Sequence, residues 1–126
     1  MVYTFVATGK LIIFDERYLH ATKKIQICRY SISTVHQVSS RYFLIGSVNG
    51  TVEAIKIRLG EEITISSRVY FFSQRKVLAI RSFQSIITDE IYFAFRTDHN
   101  HLILTKTTDN YPIRILNLDS LTLDVS

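Results

Sequence analysis

The chain has 126 residues, of which 47% are hydrophobic and 21% are charged, and its formal net charge is +4. This composition is typical of one folded domain, 1–126, and excludes a disordered chain. The apolar runs are too short to cross a bilayer, and "MVYTFVATGK" lacks the basic start and apolar core of a secretory signal. We therefore expect an intracellular protein without a membrane partner.

Sulfur-containing side chains are scarce, with one cysteine and one methionine. Cys28 has no partner for an intrachain disulfide, and the Cys/His spacing matches no zinc site, so we predict no metal and no cofactor. The scarcity fits a source that grows at high temperature, and it fits an AT-rich genome equally well. The mild positive charge permits an anionic partner and also serves solubility.

Apolar and polar residues alternate with a period of two along most of the chain, as in strands with one buried face. In chain order, "VYTFVATGKLIIFDE" reads as a hairpin and is followed by the pair Ile25 and Ile27. "RYFLIGSVNGTVEAI" reads as a second hairpin and is followed by "EEITI". "IYFAFRTDHNHLILT" reads as a third and is followed by "YPIRI". The pattern predicts an all-β protein.

The three hairpins begin at tyrosines and recur at intervals of about 40 to 50 residues, the period of propeller blades. Apolar segments, "STVHQV" and "KVLAIRSF", precede the second and third hairpins, and "SLTLDVS" follows the third. We therefore predict propeller-like four-stranded blades in three repeat units, at about 1–33, 34–75 and 76–126.

The middle unit, "STVHQVSSRYFLIGSVNGTVEAIKIRLGEEITI", resembles a WD40-type propeller blade in its apolar strand, its "GS", its short turn and its "GTV". The resemblance covers this unit well, the third unit moderately and the first only in its hairpin. It departs from the family because the chain has no Trp-Asp pair and no Gly-His dipeptide. The resemblance implies a propeller fold and carries over no functional residue.

Three blades are too few to close a ring, since propellers have about four to eight. A homodimer that completes a six-bladed ring is the predicted arrangement, with strand exchange between the copies. The alternative is a single β-barrel or sandwich with at most one helix near 74–89. In that segment Val77, Ile80, Phe83 and Ile87 also satisfy helical spacing, although we favour a strand.

One segment, "SRVYFFSQRKVLAIR", interleaves basic and aromatic residues. Single-stranded nucleic acids are bound by such sets, because bases stack on aromatic rings while guanidinium groups contact phosphates. The candidate contacts for a nucleic acid or another partner are Arg68, Tyr70, Arg75, Lys76 and Arg81. The competing interpretation is a strand with two buried aromatic residues and a solvated turn.

No set of residues predicts an enzyme. His99 and His101 straddle a turn and have no third metal ligand nearby in the sequence, so a polar hairpin tip is the better interpretation. Cys28 and His36 lie in alternating strands without a catalytic partner. The acidic pairs, such as Glu61 and Glu62, fall at strand ends. We predict no catalytic, cofactor-binding or metal-binding residue.

The whole chain also looks like a small protein of a spherical virus of hyperthermophilic archaea, although no motif carries this resemblance. It would imply a thermostable protein of the host cytoplasm or the virion. The predicted function is a non-enzymatic structural or protein-interaction scaffold, and the alternative is a nucleic-acid-binding protein that uses the basic, aromatic strand face.

Overall fold

The computed structural model describes the backbone of residues 2–15 and 20–119 and the side chains of residues 2–14 and 23–119. Over these residues the protein is all-β, as the alternation predicts. The segment "SLTLDVS" and the side chain of His20 lie outside the described residues. The strands are β1 (Val2–Val6), β2 (Lys10–Asp15), β3 (His20–Gln26), β4 (Ile32–Ser39), β5 (Tyr42–Ser47), β6 (Thr51–Leu59), β7 (Ile63–Phe71), β8 (Val77–Gln84), β9 (Ile91–Thr97), β10 (His101–Lys106) and β11 (Arg114–Asn117).

The strands form three antiparallel sheets, and each sheet consists of strands that are consecutive in the chain. The first sheet holds β1 to β3, the second β4 to β7 and the third β8 to β11, always in chain order. Each sheet is therefore an antiparallel meander of strands that follow one another in the chain. Within the described strands no sheet closes into a barrel. No helix in the described part of the chain is long and apolar enough to span a membrane.

The segment 74–89 contains strand β8 (Val77–Gln84) and no helix, so the helical alternative for it is wrong. The pairing of β8 with β9 shifts register between Val77 and Ala79, which marks a β-bulge. A bulge adds one residue to one strand, so Val77 and Ile80, three positions apart, face the same core. Both are almost fully buried, at 0% and 1% exposure. The bulge accounts for the helix-like spacing of Val77 and Ile80, whereas Phe83 and Ile87 are 52% and 94% exposed and do not continue a buried stripe.

The second sheet lies between the other two and is buried on both faces. Alternate residues of its strands enter different cores, so that Leu44 contacts the core with the third sheet and Ile45 the core with the first. Burying each such side chain contributes roughly 1.5–3 kcal/mol. The core with the first sheet contains Leu11, Ile13, Phe43, Ile45, Ile55 and Ile57. The core with the third sheet contains Leu44, Val52, Ala54, Tyr70, Val77, Ile80, Phe93, Phe95 and Ile103.

The first strands of the second and third sheets, β4 and β8, lie side by side. The Ser33 hydroxyl donates to the carbonyl oxygen of Val77 at 2.6 Å, and the His36 Nε2 lies 2.7 Å from the Ser82 Oγ. Gly46 on β5 also approaches β8, because a Cβ at this position would lie 2.6 Å from the Val77 Cγ1. The sheets therefore meet closely along their first strands.

The first and second sheets meet in a corresponding way. The rings of Phe5 on β1 and Phe43 on β5 pack edge to face with centroids 4.9 Å apart. The Lys23 Nζ on β3 donates to the carbonyl oxygen of Ile63 on β7 at 2.6 Å. β1 and β5 each begin a hairpin, and β3 and β7 each end a sheet. Corresponding strands of consecutive sheets are thus neighbours.

The three aligned hairpins share one turn geometry. Gly9, Gly50 and Asn100 adopt positive φ angles of 97°, 96° and 55°, and each donates its N–H to the carbonyl three residues earlier. Glycine and asparagine tolerate this left-handed conformation best. The "TDHNH" segment is therefore a hairpin turn, with His99 in the turn and His101 at the start of β10.

Candidate anion-binding cleft

The five sequence candidates for partner contact do not form one surface. Arg68 and Tyr70 lie together on β7 and line a pocket between the second and third sheets. Arg75 and Lys76 lie in the connection to β8, beside the turn that contains Gly50. Arg81 is on β8, where its guanidinium donates to the carbonyl oxygen of Ile80 at 2.8 Å.

The pocket at Arg68 has a volume of about 210 Å³ and lies where β6 and β7 face the β10–β11 connection. Alternation places most of its strand residues on one face of the second sheet, because Lys56 pairs with Ser66 and Ala54 with Arg68. Ser67, which pairs with Ile55, belongs to the other face. The lining residues are Tyr42, Ala54, Lys56, Ser66, Ser67, Arg68, Tyr70, Thr107 and Thr108.

A second, wider pocket of about 570 Å³ adjoins the first at the end of β6. The two pockets share Lys56 and Ser66 in their linings, so they adjoin. The wider pocket is lined by Arg41, Lys56, Ile57, Arg58, Leu59, Thr64, Ile65 and Ser66. We call the two pockets together the basic cleft. Its described lining carries four cationic side chains, of Arg41, Lys56, Arg58 and Arg68, and no carboxylate.

Neutral groups position two of the cations. The Lys56 Nζ lies 4.9 Å from the centroid of the Tyr42 ring, and the Arg68 Cζ lies 5.3 Å from that of Tyr70. The Arg68 guanidinium also donates to the Thr108 carbonyl at 2.9 Å and to the Asn110 Oδ1 at 2.7 Å. Cation–π contacts and amide oxygens orient these side chains while leaving their positive charge uncompensated.

The two tyrosines of the cleft stay uncharged at neutral pH. Burial raises the pKa of Tyr70 to about 12, and its hydroxyl donates to the carbonyl oxygen of Thr107. Burial also raises the pKa of Tyr42. Neither phenol therefore contributes a negative charge that would offset the four cations.

Two titratable groups are buried outside the cleft lining, although Glu53 contacts Ser67 of that lining. Burial raises the pKa of the Cys28 thiol, which keeps it from the thiolate form that acts as a nucleophile. Burial also raises the pKa of Glu53, against the opposing effect of a hydrogen bond with Ser67. No group of three or more His, Cys, Asp or Glu residues that could hold a metal ion occurs in the part of the chain described.

Sequence reasoning missed three of the four cations, because Arg41, Lys56 and Arg58 lie outside the segment that it singled out. A signal for two of them was present. Lys56 and Arg58 are two positions apart on β6, so they share a face of the sheet. Their pairing with Ser66 and Thr64 on β7 extends that polar face. A search for basic residues at period-two spacing across adjacent strands would have found the pair.

Comparison of the chain with protein-family models and with curated proteins finds no match.

Proposed function

We propose that this chain is a non-enzymatic scaffold whose three sheets are blades of a propeller completed by a second copy. The observation that carries the proposal is the stacking of corresponding strands, β1 beside β5, β3 beside β7 and β4 beside β8. Sheets related by a regular rotation about an axis stack in this manner. A source that grows at high temperature, cellular or viral, agrees with the scarcity of methionine and cysteine.

The second sheet packs against the third sheet with one of its faces. The corresponding face of the third sheet, in sequence register, is the one that points outward. The β9–β10 hairpin has the register of the β5–β6 hairpin with an offset of 50 residues, since Tyr42 pairs with Lys56 and Tyr92 with Lys106. Leu44 packs into the core with the third sheet. The corresponding positions of the third sheet, Ala94 and Leu104, are only partly buried in the single chain.

The outward face of the first sheet supplies a complementary apolar surface. Alternation places Thr4, Ile12 and Phe14 opposite the residues that contact the second sheet. In a ring of six blades, this face would pack on the third sheet of the partner, and the same contact would occur twice. Two-fold symmetry then closes the ring without an unpaired face.

The strand β1 gives a second reason for a partner. It is an edge strand that pairs only with β2 among the described strands, and an edge left open invites pairing with another chain. The segment "SLTLDVS" alternates Leu121, Leu123 and Val125 in sequence, as a strand would. We propose that strand exchange between the copies satisfies this edge.

Light scattering on a sizing column tests the proposal. The expected mass is twice 14.6 kDa. Leu104→Arg places a charge on the outward face of the third sheet, and we expect it to give a monomer with an unchanged circular dichroism spectrum. Ile86→Arg is the matched control, because Ile86 is fully exposed in the β8–β9 connection, and it should remain a dimer. A monomeric native chain at every concentration contradicts the proposal.

A further inference from the structure

We propose that the basic cleft binds the phosphate groups of single-stranded nucleic acid without reading its sequence. This inference goes beyond the scaffold proposal and does not depend on it, because the cleft lies within one chain. The side chains that carry it are those of Arg41, Lys56, Arg58 and Arg68, which line the two adjoining pockets.

The charge of the cleft favours a polyanion. Its described lining joins four cations to the hydroxyl groups of Thr64 and Ser66, and phosphate oxygens accept hydrogen bonds from both kinds of group. Carboxylates at Glu61, Glu62 and Asp109 lie on adjoining turns and outside the lining. Neutralising phosphates releases condensed counterions, which drives binding at low salt.

The shape of the cleft favours an extended strand over a single small anion. The two pockets adjoin at Lys56 and Ser66, so their cations follow one another along the surface. Lys56 and Arg58 are two residues apart on β6, so their Cα atoms are about 7 Å apart, close to the spacing of successive phosphates along an extended strand. The lining comes from β6, β7, the β4–β5 turn with the start of β5, and the β10–β11 connection, so the cations are spread along a surface and do not surround one point.

The aromatic residues of the cleft do not serve as stacking platforms. Tyr70 is only 3% exposed, and the Lys56 ammonium already covers the ring of Tyr42. Proteins that stack bases present open aromatic faces. The contact is therefore with the phosphate backbone, and affinity should not depend on whether bases are present.

Fluorescence anisotropy with a labelled 12-nucleotide oligothymidine at low salt tests the inference. The variant Lys56→Glu with Arg58→Glu should bind at least about tenfold more weakly, and the slope of log K against log salt should fall by roughly 1.4, which corresponds to two lost phosphate contacts. The variant Arg75→Glu with Lys76→Glu makes the same change of net charge outside the cleft. It should bind within about twofold of the native chain.

Three further ligands distinguish the sources of phosphate. An abasic 12-mer should bind as tightly as oligothymidine, whereas a duplex of the same length should bind more weakly. Inorganic tripolyphosphate should compete only at a much higher phosphate concentration. Preference for bases, for duplex or for tripolyphosphate would overturn the inference. So would equal weakening by both double variants, or no binding by the native chain. Light scattering on each sample shows whether it is a dimer. A loss of binding can therefore be told apart from a loss of the proposed ring.

Discussion

Gly46 is required by the close approach of two sheets and not by its backbone conformation. A Cβ at this position would lie 2.6 Å from the Val77 Cγ1 and 2.8 Å from the Thr34 Cγ2. Val77 is fully buried, so it has no space into which it can move. We expect Gly46→Ala to lower the free energy of unfolding by about 1–3 kcal/mol, as overpacked cores do. Urea denaturation followed by circular dichroism measures the change.

The chain offers a matched control in Gly60, in the β6–β7 turn. The nearest atom to a Cβ built there is the Glu62 carbonyl oxygen at 3.6 Å, an ordinary contact. Gly60→Ala should change the free energy of unfolding by no more than about 0.5 kcal/mol. Equal effects of the two substitutions would show that the contact between β5 and β8 is looser than the structure has it.

Single residues were the part of the site that sequence predicted least well. The segment "SRVYFFSQRKVLAIR" groups Arg68 with Arg75 because they are near in sequence. In the fold Arg68 lies on β7 and Arg75 in the connection that follows it, and Arg68 instead lines a cleft with Lys56 of β6 and Arg41 of the β4–β5 turn. A cleft that draws on several strands depends on register and on sheet stacking, and neither can be derived from local composition.

At the scale of elements, His36 connects β4 to β8. Its Nε2 lies 2.7 Å from the Ser82 Oγ, and burial and the nearby Arg81 charge lower the pKa of His36 below its usual 6.5. The unfolded chain therefore binds more protons than the folded chain as the pH falls through 6.5. The stability that neutral His36 contributes should be present above this pH and lost progressively below it.

The variant His36→Gln tests this pH dependence. Glutamine does not titrate, and the substitution removes the imidazole that bonds to Ser82. Near pH 7.5 the free energy of unfolding of the native chain should exceed that of the variant by about 0.5–1.5 kcal/mol, the net value of one hydrogen bond. This difference should shrink towards about pH 5.5, because imidazole protonation penalises the native chain alone. A difference that stays constant with pH would contradict the assignment.

Strands and hairpins could be predicted well from sequence, because alternation reports directly on which face is buried. The prediction was ambiguous at β8, where a bulge between Val77 and Ala79 replaces the period of two with a spacing of three. It was incomplete for "YPIRI", because Ile113 and Ile115 alternate as buried residues would and are each 53% exposed. Ile115 lies opposite the buried Ile103 but on the edge strand β11, so its exposure follows from its place at the edge of the sheet, which no local pattern can reveal.

At the scale of the whole molecule, the order of the sheets decides how stability is distributed. The second sheet contributes to both cores, so neither outer sheet packs on anything else in the described chain. Sequence predicted the three hairpins, and the stacking order emerges only from the structure. Because one sheet is shared, loss of either core should weaken the packing of the other.

This shared sheet predicts one cooperative unfolding transition. Ile45 lies in the core with the first sheet and Ile103 in the core with the third, and both are almost fully buried. Ile45→Ala and Ile103→Ala should each cost about 2–5 kcal/mol of unfolding free energy and shift the same single transition.

Ile115 pairs with Ile103 and is half exposed, so Ile115→Ala is the matched control and should cost far less. Circular dichroism and tyrosine fluorescence, at equal protein concentration, should give coincident curves for every variant. If Ile45→Ala instead produced an early, separate transition, the first sheet would be an independent unit, and the rigid stack on which a closed ring depends would be ruled out.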